Sequence, residues 1–303
     1  MAEAIAHKPS APAVGLLTKS PPARGLVRDT FRKMRKNPGA MIGLAVLILI
    51  ILAAVFAPVI APHDPVLQDS QAIRKAPSMH HWFGTDTFGR DVFSRVLYGG
   101  RNSLPVGLIA VGIAALFGVT AGLTAGYYGG WVDSLIMRLV DIMLAFPGIL
   151  LAMALVAILG TSFVNLMMAV GIAAIPEYTR VVRGQVLSTR ETEYVTAARV
   201  AGAKNSALML KHILPNVLPP IIVLATLGIA GAIILGSTLS FLGLGIQPPT
   251  AEWGNMMSDG RTMMRHFWWV SFFPGLAIML TVLAINLVGD GLRDALDPRL
   301  NNR

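Results

Sequence analysis

Few residues in this chain have the types and spacing to do chemistry. His80-His81 is the one close histidine pair, with His63 some way before it. A zinc hydrolase needs two histidines and a glutamate at H-E-x-x-H spacing, which is absent, so the pair reads as a polar cluster in an outer loop, not a metal site. Phosphoryl transfer needs backbone amides and a lysine around the phosphates, yet no G-x4-G-K-[ST] and no Gly-Lys pair occurs. Gly243-Leu244-Gly245 has neither a strand before it nor a lysine after it, so it makes a weak phosphate loop. No G-x-S-x-G elbow is present, and the absence of Cys excludes disulfides and thiol chemistry. Asp141, with Arg138 three residues ahead, reads as a paired interfacial anchor and not as a proton relay. No catalytic residue, bound cofactor or metal is expected of this chain.

The elements that hold these residues are written in the hydropathy. Apolar residues make up 54%, charged residues only 14%, and the mean hydropathy is +0.63. Soluble domains carry about 25% charge, so the solvent here is a bilayer. Spans of about 20 apolar residues are expected at residues 40–61, 104–127, 135–159, 163–182, 213–235 and 266–289. The chain therefore reads as an all-α membrane protein with six transmembrane helices. Residues 1–37 form an N-terminal tail, Ala-, Pro- and Lys/Arg-rich and expected to be disordered to about Gly25, while 38–298 form the membrane unit and 299–303 a short end. The first apolar run is too long for a signal peptide and reads as an uncleaved span. Most of the 25 Lys and Arg fall in the tail, the fourth–fifth loop and the C-terminus. The positive-inside rule puts these in the cytoplasm. Topology thus accounts for the net charge of +9 and pI near 10.3, and no nucleic-acid partner is needed.

The stretch Glu193 to Asn216 lies between two apolar spans but carries charge and small residues. Ser188-Thr189-Arg190-Glu191 fits a capping box. A helix from there places Tyr194, Ala197, Ala198 and Ala201 on one face. Gly202 permits a turn, and Asn205 or Ser206 can start a second helix ahead of Pro215. The spacing of Ala198 and Gly202 suits a DNA-binding helix-turn-helix, but spans at both ends keep such a helix out of a major groove. An interfacial connector and a docking helix for a cytoplasmic partner both fit.

At these residues the chain resembles a known family. Thr196-Ala197-Ala198-x3-Gly202, with Leu214-Pro215 eleven residues on, is similar to the "EAA" loop of importer-type ABC permeases. The resemblance implies that the loop, about 188–215, is a coupling helix seated on an ATPase subunit. Thr196 stands where the family usually has Glu, and Glu193 is the nearby carboxylate.

Two outer segments resemble the C-type permease subunit of peptide/nickel importers. The first is Gly84-Thr85-Asp86-x2-Gly89-Arg90-Asp91-x2-Ser94-Arg95. By itself it reads as an amphipathic helix starting at Thr87 or Gly89 and lying on the membrane, with Val92, Phe93, Val96 and Leu97 inward and Asp91 paired to Arg95. The second runs through Gly243, Gly245, Gln247, Pro248 and Trp253. Its prolines forbid regular helix, Trp253 suits an interface, and the irregular backbone is expected to line the outer mouth of a path. With Arg138-x2-Asp141-x3-Ala145-Phe146-Pro147, the likeness covers about residues 30–298. It implies a cell-membrane permease for peptides or a related small solute such as a nickel chelate. The implied partners are a second homologous permease, two cytoplasmic ATPases carrying ATP-Mg, an extracytoplasmic binding protein and membrane lipid. A stand-alone secondary transporter and a non-transporting scaffold remain as alternatives. Ser237, Ser240 and Asn165 are candidates to face the path.

Overall fold

The computed structural model describes residues 30–296, so the expected disorder before Gly25 and the 299–303 end lie outside the described residues. Every element of any length is helical. Without water to bond, a backbone in hydrocarbon must satisfy its amides and carbonyls within its own segment, and helices do this. Helix α1 (Pro38–Val55) starts at an Asn37 cap and stops at Phe56, where the short α2 (Ala57–Ile60) follows. Helix α3 (Val92–Tyr128) has 37 residues, about 55 Å at the usual rise, and so outreaches a hydrocarbon core of about 30 Å. Then come α4 (Gly130–Leu144), α5 (Gly148–Leu159), α6 (Phe163–Arg190) and α7 (Glu193–Val200). Helix α8 (Asn205–Phe241), α9 (Trp253–Gly260) and α10 (Trp269–Leu296) complete the chain.

Four of these, α1, α3, α8 and α10, are long and apolar enough to cross a membrane. The span expected at 135–159 is instead two helices, α4 and α5, meeting at 92°. Pro147 is the cause, because it offers no amide to the ladder and disfavours a helical Phe146. Counted as one broken span, the pair brings the number to five. Helix α6 covers the stretch expected as the fourth span but falls short by composition, since Glu177, Arg180 and Arg183 lie along it. The surface helix expected from Thr87 or Gly89 does not form. Asp91 caps Val92 instead, its carboxylate taking the Ser94 amide at 2.8 Å, and the helix continues through Pro105 into the span.

Helix α3 lies against α6 through Gly118, Gly122 and Gly126, one turn apart on one face. A Cβ on Gly122 would stand 2.6 Å from the Thr179 carbonyl oxygen, and one on Gly126 would stand 2.8 Å from Val186 Cβ. Small residues at this interval let membrane helices touch backbone to backbone. Helix α8 meets α3 through Gly107 and Gly236, and α10 meets α1 through Gly43 and Gly291. The core of the molecule, from Val106 to Tyr178 and Leu239, lies where α3, α6 and α8 converge. Apolar residues of α4 and α5, such as Trp131, Leu139, Leu150 and Ile158, are exposed.

Gly122→Ala is expected to destabilise the protein by about 1–3 kcal/mol, because the clash is with backbone that cannot step aside. At Gly112, on the same helix, an added Cβ meets nothing within 4 Å, so Gly112→Ala should be neutral or stabilising by up to about 1 kcal/mol. Thermal unfolding of both variants in detergent checks the contrast.

Candidate functional site

The segment between α6 and α8 forms an arm made of α7 and the turn after it. The capping box does not form, because α6 runs on to Arg190 and Ser188 lies inside an unbroken helix with no free amides ahead. Glu191 pairs sideways with Arg190 at 2.8 Å, and the Thr192 hydroxyl donates to the Thr189 carbonyl. Helix α7 ends where Gly202, at φ +84°, lets the chain reverse. The Ala203 amide reaches back to the Ala198 carbonyl and the Gly202 amide to the Arg199 carbonyl, a Schellman closure. Past Asn205 the helix is π-wound over Leu208–Ile213, just before Pro215, which has no amide to continue the ordinary ladder.

The faces of α7 differ from expectation in one residue. Val195 is buried and Ala198 half-buried, both against Val182, Val186, Leu208, Ile213 and Val217. Glu193, Tyr194, Thr196, Ala197 and Ala201 face outward, and Val200 is 84% exposed. Hydrogen bonds tie the arm to its neighbours. The Tyr194 hydroxyl donates to the His212 carbonyl at 3.3 Å, and Tyr127 reaches Asn205 at 2.8 Å. Arg190 donates to the Gly126 carbonyl at 2.7 Å. The arm is thus fastened to the adjoining ends of α3, α6 and α8 together. Asp141 does not pair with Arg138, which is exposed; it accepts from Arg180 of α6 at 2.7 Å. About two turns earlier on α4, Asp133 accepts from Arg183 Nε and Nη2 at 2.5 and 2.7 Å, so two ion pairs hold α4 to α6.

The motifs at 84–95 and 243–253, far apart in the chain, fold into a single cap. Asp86 accepts from the Phe88 and Arg90 amides and from Arg90 Nε at 2.6 Å. Arg90 then reaches Asp259 of α9 at 3.1 Å. Arg95 does not pair with Asp91. It is buried, 3.5 Å from Asp86, and donates to the Pro65 and Pro249 carbonyls. Gly84 and Gly89 have positive φ and stand where a Cβ would strike the Lys75 and Asp69 backbone. Trp253 is not an interface residue: it is buried, and its indole donates to the Val96 carbonyl at 2.9 Å. Gln247 bridges the Gly243 and Gly245 carbonyls, closing the turn before Pro248.

Sequence reasoning missed Glu252 and Asp259. Glu252 caps α9 from a buried position and accepts from the Gly254 and Asn255 amides and the Ser103 hydroxyl. Burial pushes its pKa up despite these bonds. Burial also raises Asp259, with Arg90 opposing. An acidic residue three places after a proline pair was the only visible signal, and it marked Glu252 alone. Each of the three path candidates has a contact within the chain. Asn165 bonds the Leu159 and Gly160 carbonyls, Ser237 packs under Gly254, and Ser240 under Gly245.

Residues 118–302 match the family "Binding-protein-dependent transport system inner membrane component", and residues 25–77 match the "N-terminal TM domain of oligopeptide transport permease C". The chain is 50% identical over 275 residues to the dipeptide transport system permease protein DppC of Alkalihalophilus pseudofirmus, covering 91% of this chain and 90% of that one. It is 46% identical over 282 residues to the di/tripeptide permease protein DppC of Pseudomonas aeruginosa, covering 91% and 93%. It is 47% identical over 285 residues to the glutathione permease protein GsiD of Escherichia coli, covering 94% of each. Among solved structures it is similar to a chain of the inward-facing MetNI methionine ABC transporter, with TM-score 0.55 and 18% identity over 67% of this chain and 96% of that one. It also resembles a chain of an amino acid ABC transporter crystallised with histidines, with TM-score 0.51 and 12% identity over 66% and 92%. These likenesses give the fold of an importer permease, and the sequence matches give the lineage: the chain belongs to the inner-membrane permease family of binding-protein-dependent transport systems, a transport component and not a catalytic enzyme.

Proposed function

We propose that this chain is half of the translocation path of an ABC importer for short peptides, worked by ATPase subunits that grip α7. Six crossings follow if the bent pair α4–α5 counts as one and α6 as another; an even number leaves both termini on one side, and the Lys and Arg bias favours the cytoplasm for that side. The observation that carries the reading is the exposed side of α7. Its small residues Thr196, Ala197 and Ala201, beside an outstanding Val200, form an apolar surface facing away from the chain's own core. Such a surface on a membrane protein's inner side needs a partner. Its other side is fastened to three helix ends, so a push on it moves those ends as one.

Nucleotide binding closes two ATPases and draws α7 with them, and the helices shift between two packings, each favoured by different contacts. ATP-Mg stays on the ATPases, and the chain itself holds no nucleotide. Glu193, on the first turn of α7 and exposed, is positioned to meet a partner cation in place of the carboxylate that Thr196 lacks. Outside, the cap holding Asp86, Arg90, Arg95, Glu252 and Asp259 is a rigid platform for a binding protein. The exposed apolar flank of α4 and α5 fits a second, related permease. Peptide cargo is supported by the relatives, named for dipeptides, di- and tripeptides and glutathione.

Ala197→Arg is expected to leave the protein folded, since Ala197 is exposed in this chain, yet to abolish nucleotide-driven peptide uptake and the substrate-stimulated part of ATP hydrolysis. Uptake at the wild-type rate in proteoliposomes overturns the docking role. Ala198 is the poorer probe because it packs inward.

The cap has its own signature. The raised Glu252 pKa means that the folded cap favours the protonated carboxyl. That stabilisation is full below the ordinary value of 4.5 and is lost as pH climbs through the raised value. Glu252→Gln keeps an acceptor oxygen without the charge. Its melting temperature should therefore gain on wild type as pH rises, and a difference that stays constant with pH contradicts the assignment.

A further inference from the structure

The outer loop brings together three histidines that the linear sequence keeps apart. His63 follows α2, while His80 and His81 lie 17 and 18 residues further on. Their ring centroids are 4.8 to 5.1 Å apart in all three pairings, and one ligand nitrogen from each lies within 4.8 Å of the others. Three imidazoles so close together, in a loop already crowded by Asp91, need something to hold them.

The second shell is in place. His81 Nδ1 is 2.9 Å from Asp91 Oδ1, a contact in which the ring donates its proton and leaves Nε2 with a free lone pair. A carboxylate behind a histidine in this way is the usual means of orienting a metal ligand. Asp91 is itself fixed by the Ser94 amide and hydroxyl, both at 2.8 Å, at the first turn of α3. His63 is anchored by its backbone amide, which donates to the Ser94 hydroxyl at 3.2 Å. Its Nδ1 is buried without a hydrogen-bond partner and stands 3.8 Å from the same Asp91 oxygen. Buried polar atoms are almost always satisfied, and an ion is one of the few things that accounts for an exception. His80 is exposed and closes the set from the solvent side.

We infer that His63, His80 and His81 form a binding site for a divalent first-row transition metal on the outer cap. Imidazole ligands suit zinc, copper, nickel and cobalt, whereas calcium and magnesium require oxygen. Ligands on a tetrahedral ion with bonds of about 2.0–2.1 Å stand roughly 3.3 Å apart, so the rings close inward by about an ångström or more on binding. Three protein ligands leave the fourth position to water or to a donor arriving from solution. The bound ion ties the segment after α2 to the loop ahead of α3 and seats both on the helix that forms the spine of the molecule. That this face is outside rests on the topology proposed above; metal binding does not.

The test is a cobalt titration of the full chain, purified through a tag without histidines and held in lipid nanodiscs. Wild type should bind one Co²⁺ with the intense visible absorption of a four-coordinate ion. One equivalent of Zn²⁺ should displace it, and millimolar Mg²⁺ should not. His80→Gln, at an exposed position, should weaken binding by at least about 100-fold, and Asp91→Asn, which still caps α3, by about 10- to 100-fold. Co²⁺ that keeps the weak spectrum of the hydrated ion, or binds wild type and His80→Gln alike, overturns the site. Neither result touches the importer reading, which depends on the Ala197→Arg assay.

Discussion

The close approach of α3 to α6 is the contact on which the rest of the structure depends. Gly118, Gly122 and Gly126 strip one face of a 37-residue helix down to its backbone, so that Tyr178, Thr179, Val182 and Val186 lie directly on it. In a bilayer no hydrophobic drive joins two apolar helices, because lipid tails are as apolar as leucine. Association rests on dispersion between surfaces that fit. Helix α8 is added to that pair by the same means, through Gly107 and Gly236. Since α3 is longer than the hydrocarbon is thick, the spine reaches from the cap to the arm as one helix.

What the spine carries at its two ends is physically unlike. At one end, the cap is closed by buried charges. Arg90 and Arg95 are both almost wholly enclosed, with Asp86 between them and Asp259 behind. Removing one member of such a set strands the others without compensation, which makes the arrangement stiff more than it makes it stable. At the other end, the arm is held by a handful of backbone-directed hydrogen bonds and a small apolar cluster, and its far side is exposed. A stiff platform at one end and a fastened arm with an exposed apolar side at the other are what the proposed gate requires.

Much of this was legible along the chain. Runs of uncharged residues located α1, α3, α8 and α10, because choice of solvent depends on composition over about 20 residues and on nothing distant. Gly202 was legible as a turn because only its positive φ matters, and a glycine supplies that in any context. The motif around Ala197 and Ala198 was legible as a short helix, although which face looked outward was not readable: Ala198 turned inward because Leu208 and Ile213 come back to cover it. The capping box was read correctly as a pattern and wrongly as a place, since the preceding helix ran straight through it.

By itself, then, the sequence determined the solvent, the helical class, the helix start at Asn37, the helix stop at Gly202, and the lineage carried by its motifs. All of these are local quantities, decided by hydropathy, by backbone freedom or by residues within a few turns. The tertiary structure alone decided the partners: Asp141 with Arg180 in place of Arg138, Arg95 with Asp86 in place of Asp91, Trp253 buried under Val96, and His63 beside His80 and His81. A charged or aromatic side chain is satisfied by whichever complementary group packing brings within a few ångströms. In a fold whose long helices return across the same membrane, that group is as often 40 or 150 residues away as four.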